Sequence, residues 1–364
     1  MAYGTVNADV IGTSVAGSNL GAGNASIMKN RIINGAMVIS QYNGTSSGNN
    51  AGAYMIDRWY NNNSQSGKLT YQQNAGSVST PVGFPNYLGI TSASAYSVGS
   101  SDYFFMEQRI EGFNFADCNW GTANAKTVTL SFQVYSSLTG TFGGALTNNA
   151  QDRSYPFTYS IPVANTWTSV SITIAGDTTG TWVGATNGIG LRVRLSYGSG
   201  SSFSGTAGSW AGANYTSATG ATSVVGTSGA TFYITGVQLE VGSSATGFEY
   251  RQYQQELALC QRYYETYQAG YLTGSNYSTS ACQGFQIFLK VTKRATATMA
   301  IVSGTAVVSN AVASSAGGAV GINAQPNSPS NGGDLAVTGA SGIVAGNAGL
   351  LIPANLIISY SAEL

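Results

Sequence analysis

The sequence has no histidine, and only 14 Lys or Arg and 14 Asp or Glu among its 364 residues. Losing histidine removes the commonest general base near neutral pH and the commonest metal ligand together. Ser-His-Asp and Cys-His nucleophilic machinery is therefore excluded. Charged residues make up 8%, against about a quarter of an ordinary soluble domain. That excludes the clustered Lys and Arg with which a nucleic-acid binder neutralises phosphates. A formal net charge of zero argues equally against partners drawn in by long-range fields. No window approaches the roughly 18 apolar residues of a membrane span. Met1-Ala2-Tyr3-Gly4 opens without the basic and apolar regions of a secretion signal, so synthesis in a cytoplasm without membrane insertion is expected. Cys118, Cys260 and Cys282 are odd in number and far apart, which fits buried thiols better than a disulfide framework or a zinc site. No Gly-rich phosphate loop with a Lys occurs. Neither a cofactor nor a metal is expected.

What fills the chain instead is Gly (48 residues), Ser, Thr, Asn and Ala, with 22 Tyr against 5 Trp. Uncharged polar groups with aromatics make surfaces that hydrogen-bond and stack. A hydrophobic share of 43% argues against disorder, and the length suits two or three domains.

The fold class expected is all-β: a jelly-roll-type β-sandwich, one connector helix and a second, small C-terminal β domain. Residues 1–29 carry few large apolar residues and read as an extended attachment arm. In the sandwich, 30–248, Val128, Leu130, Phe132 and Val134 alternate with Thr129, Ser131, Gln133 and Tyr135, the period of a half-buried antiparallel strand. Val170, Ile172 and Ile174 make another strand. So do Leu191, Val193, Leu195 and Tyr197, with Arg192 and Arg194 on the opposite face. Short strands with turn signals between them suggest two packed sheets. From Thr231 to Val241 the apolar parity switches at Gly236, which predicts a β-bulge or bend.

A helix is expected over 249–268, where Tyr250, Tyr253, Leu257, Cys260 and Tyr264 recur at three- and four-residue spacing. It reads either as a connector packed on its own sandwich or as a short bundle on an oligomer axis. Residues 269–364 form the C-terminal β domain. Phe285, Ile287, Leu289 and Val291 alternate there, Asn331-Gly332-Gly333 marks a turn, and Leu356-Ile357-Ile358-Ser359-Tyr360 closes it.

No catalytic residue is expected. Glu107 and Glu111 share a face if their segment is a strand, but stand roughly 13 Å apart, too far for a glycosidase pair. Glu107 is better explained by pairing with an Arg. Asp57-Arg58 and Asp152-Arg153 read as neutralised pairs. The candidate ligand-binding residues are Phe203, Trp210 and Tyr215, large rings in a long Gly/Ser/Thr stretch between Tyr197 and Gly229. Such rings either offer stacking area to a ligand or subunit, or tuck back to anchor the loop.

Asn30-Arg31-Ile32-Ile33-Asn34-Gly35 and Tyr54-Met55-Ile56-Asp57-Arg58-Trp59-Tyr60 resemble the opening of a large family of bacteriophage tail-fibre and related virion proteins. Phe232 to Gly242, Ala245 to Arg251, Glu256 to Glu265 and the closing Ser359-Tyr360-Ser361-Ala362-Glu363-Leu364 are similar to later blocks of that family. The resemblance implies a jelly-roll sandwich like a carbohydrate-binding module, mounted on a virion, often trimeric and without a catalytic site. It implies architectural roles for Asp57-Arg58-Trp59 and for Cys260 to Tyr264. A tail fibre or receptor-binding adhesin touching host-surface polysaccharide is the leading expectation. The partners implied are other phage structural proteins, held by the arm, and further copies in a homotrimer. A head fibre or capsid or portal decoration protein comes second and a polysaccharide depolymerase third.

Overall fold

The structure, a computed structural model, describes residues 29–310, 321–324, 332–338 and 343–364. The expected arm, Lys29 excepted, and Asn331 of the expected turn lie outside the described residues. The chain divides into two compact units, the first closing at Arg251 and the second opening at Gln252.

The first unit contains β1 (Ala53–Ile56), β2 (Trp59–Asn63), β3 (Leu69–Gln73), β4 (Leu88–Ser92), β5 (Tyr103–Glu111), β6 (Val128–Ser136) and β7 (Gly140–Thr147). It continues with β8 (Ser154–Ile161), β9 (Thr168–Ile174), β10 (Ile189–Ser199), the two-residue strands β11 (Ser204–Gly205) and β12 (Ser217–Ala218), and β13 (Thr231–Val241). Six strands pair in the order β1-β2-β5-β10-β7-β8 and five in the order β3-β4-β13-β6-β9. Strands that follow one another in sequence often change sheet, giving an all-β jelly-roll-type sandwich. Leu130, Phe132 and Val134 of β6 meet Leu191, Val193, Leu195 and Tyr197 of β10 in one buried core. Each such side chain contributes about 1.5–3 kcal/mol by leaving water. The polar partners of the alternation face outward, as the period predicts. The parity switch is a bulge: the β13–β6 register slips between Thr235 and Gln238, and Gly236 sits at φ 64°.

The opening motifs interlock. Asn34, at φ 57°, donates its amide to the Ile39 and Asp57 carbonyls and accepts from the Ile39 N–H, while the Trp59 indole donates to the Asn34 carbonyl. A Cβ on Gly35 would lie 2.1 Å from the Val237 carbonyl oxygen, so only glycine lets the two backbones meet there. Asp57 accepts from the backbone and side-chain N–H of Gln41, and Arg58 donates to the Arg109 carbonyl. Arg153 turns to Asp177, which it grips with two nitrogens, while Asp152 accepts from Asn148.

The second unit starts with helix α1 (Tyr253–Gln261), followed by β14 (Tyr264–Gln268), β15 (Leu272–Asn276), β16 (Ala281–Phe288), β17 (Thr298–Asn310), β18 (Gly321–Ala324), β19 (Gly332–Thr338) and β20 (Ala348–Ser361). Six of these strands run β14-β20-β15-β16-β19-β18, and β17 pairs with β20. Phe285, Ile287, Val308, Leu351, Ile358 and Tyr360 fill its core. The helix is shorter than the spacing predicts, which corrects the expected 249–268. Gln252 is extended, so Tyr250 precedes the helix, and Tyr264 belongs to β14 opposite Ser361. Tyr264-Glu265-Thr266-Tyr267 is rich in β-formers, and pairing with β20 outweighs the helical period. Of the five stripe residues, Tyr253, Leu257 and Cys260 are helical; Cys260 is buried and Tyr253 exposed. All three cysteines are free and buried, and burial pushes the Cys118 thiol up to about 12.

Candidate functional site

The outer face of the five-stranded sheet carries a cleft of about 400 Å³. Its floor comes from the outward positions of β6 and β9. Ser131 stands opposite Ser171 and Gln133 opposite Ser169, and the Ser169 hydroxyl donates to the side-chain Oε1 of Gln133 at 3.0 Å. The Gln133 amide N–H groups and the Ser131 and Ser171 hydroxyls remain available to a ligand.

One wall is the segment after β13. Gln238 and Glu240 point outward from β13 yet are buried, because residues 245–249 fold over them. Glu240 accepts from the Thr246 N–H and hydroxyl at 2.8 and 2.7 Å, and Gln238 accepts from the Glu249 N–H at 2.8 Å. Lys29 donates to Thr246 and to the Gly247 carbonyl. This strapping presents Phe248 and Tyr250. With Phe84 they form a triangle of rings, 5.0 Å from Phe84 to Phe248, 5.0 Å from Phe248 to Tyr250 and 5.7 Å from Phe84 to Tyr250. Phe84 fits because Gly236 has no side chain: a Cβ there would lie 2.6 Å from its ring. The bulge foreseen from parity thus seats the wall of the cleft. Tyr250 is 60% exposed.

Along the same face lies a second aromatic group. Tyr135 and Tyr233, cross-strand partners, stack at 5.3 Å with planes 6° apart, Tyr87 stacks on Tyr233 at 5.1 Å, and Trp167 edges onto Tyr87 and Tyr135. Burial raises the Tyr233 and Tyr87 pKa values, so both hydroxyls stay protonated donors at neutral pH. No Asp or Glu lines the cleft among the described residues. The site offers flat rings, amides and hydroxyls, which suits an uncharged polyhydroxylated ligand.

The rings expected from sequence lie elsewhere. The 204–218 loop crosses the outer face of the six-stranded sheet: Ala211 bridges Ser154, and the Ser154 hydroxyl donates to the Ala213 carbonyl. Trp210 packs edge-on against Trp120 at 5.1 Å and Trp182 at 5.5 Å, and its indole donates to the Ala175 carbonyl at 2.9 Å. Phe203 meets Tyr103 at 5.0 Å, and Tyr215 lies over Gly205. Trp210 and Phe203 hold the loop to the sandwich, Tyr215 packs within the loop itself, and the three do not form one group. The cleft residues Phe84, Gln133, Phe248 and Tyr250 went unread in the sequence. Phe84 and Phe248 stand in Gly- and Pro-rich turns, Pro81-Val82-Gly83-Phe84-Pro85 and Thr246-Gly247-Phe248, which is the signal that could have found them.

Glu107 is fully buried on β5 and gathers three arginines. Arg109 Nε lies 2.6 Å and Arg192 Nη1 2.9 Å from one carboxylate oxygen, and Arg194 Nε 2.9 Å from the other. Burial alone would push this carboxyl up; the guanidiniums of Arg194, Arg192 and Arg109 outweigh it and hold the pKa at about 2. Pairing with arginine, as the sequence predicts, is what the structure shows.

No family model matches the sequence, and no curated protein matches it. Solved structures are similar to parts of the chain only at a low level. The enzymatically active domain of tailspike protein 4 of bacteriophage CBA120 is 13% identical with a TM-score of 0.34 over 59% of this chain and 22% of that one. The family 11 carbohydrate-binding module of a cellulosomal cellulase of Clostridium thermocellum is 10% identical with a TM-score of 0.27, over 56% of this chain and 99% of the module. A family 61 module solved with β-1,4-galactotriose is 9% identical with a TM-score of 0.27, over 50% of this chain and 88% of that one. The chain spans about a fifth of the tailspike it is similar to.

Proposed function

We propose that this protein is a non-enzymatic virion fibre protein whose sandwich holds host-surface glycan in the cleft of the five-stranded sheet. One observation carries the reading: an uncharged floor of Ser131, Gln133, Ser169 and Ser171 beneath the exposed ring of Tyr250. A sugar ring presents an apolar face that stacks on an aromatic and an equator of hydroxyls that pair with amides and hydroxyls. The cleft lies within the usual size of small-ligand sites. The absence of carboxylates from the lining supports binding without turnover. The place on a phage particle and the homotrimer are supported by the blocks around Asn34-Gly35, Asp57-Arg58-Trp59 and Phe232 to Arg251, and attachment through residues 1–29 by their scarcity of large apolar residues.

The test is a glycan array probed with the purified full-length protein, followed by titration of the best neutral oligosaccharide. Tyr250→Ala, which removes an exposed ring, is expected to weaken binding roughly 3–10-fold without lowering the melting temperature. Failure to bind any array glycan or host cell, together with firm retention on particles lacking tails, would replace the adhesin reading with a decoration role. Release of reducing ends from host polysaccharide would remove the non-enzymatic reading, and a monomer in light scattering would remove the trimer.

A further inference from the structure

The cleft and the second aromatic group of the five-stranded sheet stand on one ladder. Strands β6 and β9 pair in an unbroken antiparallel register, in which Leu130 with Ile172 and Phe132 with Val170 pack on the core. The alternate rungs point outward. In order along the outer face they are Thr129 with Thr173, Ser131 with Ser171, Gln133 with Ser169, and then Tyr135 beside Trp167, whose ring centroids lie 5.5 Å apart. At roughly 3.3 Å per residue the ladder runs about 13 Å from Ser131 to Tyr135. That is longer than one sugar ring.

The two ends of the ladder differ. At the Thr129 end the chain leaves β13 and crosses over the rung: the Thr129 hydroxyl donates to the Gly242 carbonyl and the Thr173 hydroxyl to the Ser243 carbonyl, both at 2.9 Å. Thr129 is fully buried there, and the crossing segment continues into the wall that carries Phe248 and Tyr250. The other end meets a ring instead. Trp167 lies across Tyr87 and Tyr135, and its indole N–H donates to the Ser79 carbonyl at 2.7 Å. The ring is held but only half-buried, and Ser169 and Ser171, between it and the crossing, are exposed. A ring already fixed in place loses little freedom when a ligand stacks on it.

We propose that the cleft takes the end of a neutral glycan chain. The terminal sugar lies against Ser131 and Ser171 beside the aromatic wall, stopped by the crossing at Gly242 and Ser243. The sugars that follow leave over Gln133 and Ser169 and stack on Trp167, which makes Trp167 the residue that selects chains over single sugars. This inference rests on the reading of the cleft as a glycan site, and adds to it a direction, a length and a specificity-determining ring.

The experiment is calorimetric titration of the full-length protein with linear gluco-, galacto- and manno-oligosaccharides, from mono- to hexasaccharide. In a series that binds, affinity is expected to rise roughly 3–10-fold as the chain lengthens to a trisaccharide, and then to level off. Trp167→Ala is expected to erase that rise, whereas Trp167→Phe, which keeps a ring but loses the bond to Ser79, retains most of it. Tyr250→Ala weakens every length. Long and short polysaccharide fractions of the same sugar, compared at equal mass, should bind protein in proportion to their number of chain ends. Affinity that is flat with length, a rise that survives Trp167→Ala, a rise lost equally in Trp167→Phe, or binding that follows mass rather than ends would overturn this proposal and leave the glycan site standing. No binding of any of the three series would overturn both.

Discussion

The two outer faces of the sandwich solve the problem of exposure in opposite ways. On the five-stranded sheet the outward positions of β6 and β9 are small and uncharged, and aromatic walls rise at the side, leaving a cleft open to solvent. On the six-stranded sheet the outward positions of β5 and β10 are charged and closed over, with Glu107 and Arg194 each at 1% side-chain exposure. A sequence with 8% charged residues thus gathers several of them beneath a loop and keeps its neutral groups for the open face. The comparison teaches that scarcity of charge in the sequence does not mean weak electrostatics in the fold. Buried pairs act at low dielectric, where each is strong and each is costly to break.

The difference can be tested from its most expensive element downward. Glu107→Gln leaves three guanidiniums around a neutral amide and is expected to cost about 3–5 kcal/mol, read as a shift in the urea midpoint at pH 7. Trp210→Ala frees the loop from Trp120 and Trp182, at roughly 3 kcal/mol, with affinity for a neutral glycan unchanged. If that affinity falls while the protein stays folded, the ring is a ligand contact as well as an anchor. Gly236→Val forces a β-branched side chain into a left-handed position against Phe84; a loss of about 1–3 kcal/mol is expected, with weakened binding in the cleft. Acid dependence tests the same carboxylate from another side. The Glu107 carboxyl falls from the ordinary 4.5 to about 2 in the native fold, so its contribution is complete above pH 4.5 and is lost as pH falls towards 2. The drop in urea midpoint across that window should be shallower in Glu107→Gln than in the parent protein.

The strands and their facing were readable because period-two alternation is a local signal. Val128 to Tyr135 and Leu191 to Tyr197 place their apolar residues inward as expected, and Gly236 marks the bulge. The partner of Glu107 could be given by residue type, but not its multiplicity, since Arg192 and Arg194 come from a strand far along the chain. The helix was overread because Tyr250 and Tyr264 fit a heptad rhythm by chance of spacing. One is extended chain, and the other is held in a sheet by β20. The cleft was unreadable for the same reason as the arginine cluster. Phe84, Gln133, Ser169 and Tyr250 sit in four separate segments, and no single stretch of sequence shows that the fold brings them together. Large rings in a long polar loop drew attention instead, and in the structure Trp210 is held in place by neighbours the sequence could not name.

Strand β20 has a consequence for the order in which the second unit can form. It pairs with β14 and β15 along one edge and with β17 along the other, so a later strand lies between strands made earlier. Until Ser361 has left the ribosome, Tyr264 has no partner and the edges of β14, β15 and β17 stand open. Pairings between residues so distant in sequence form slowly, and unpaired edges invite pairing with neighbouring chains. This unit therefore completes its sheet only once β20 has emerged, while the sandwich can already be folded. Nascent chains stalled before residue 348 should bind one another through those edges, whereas chains released after Ser361 should not.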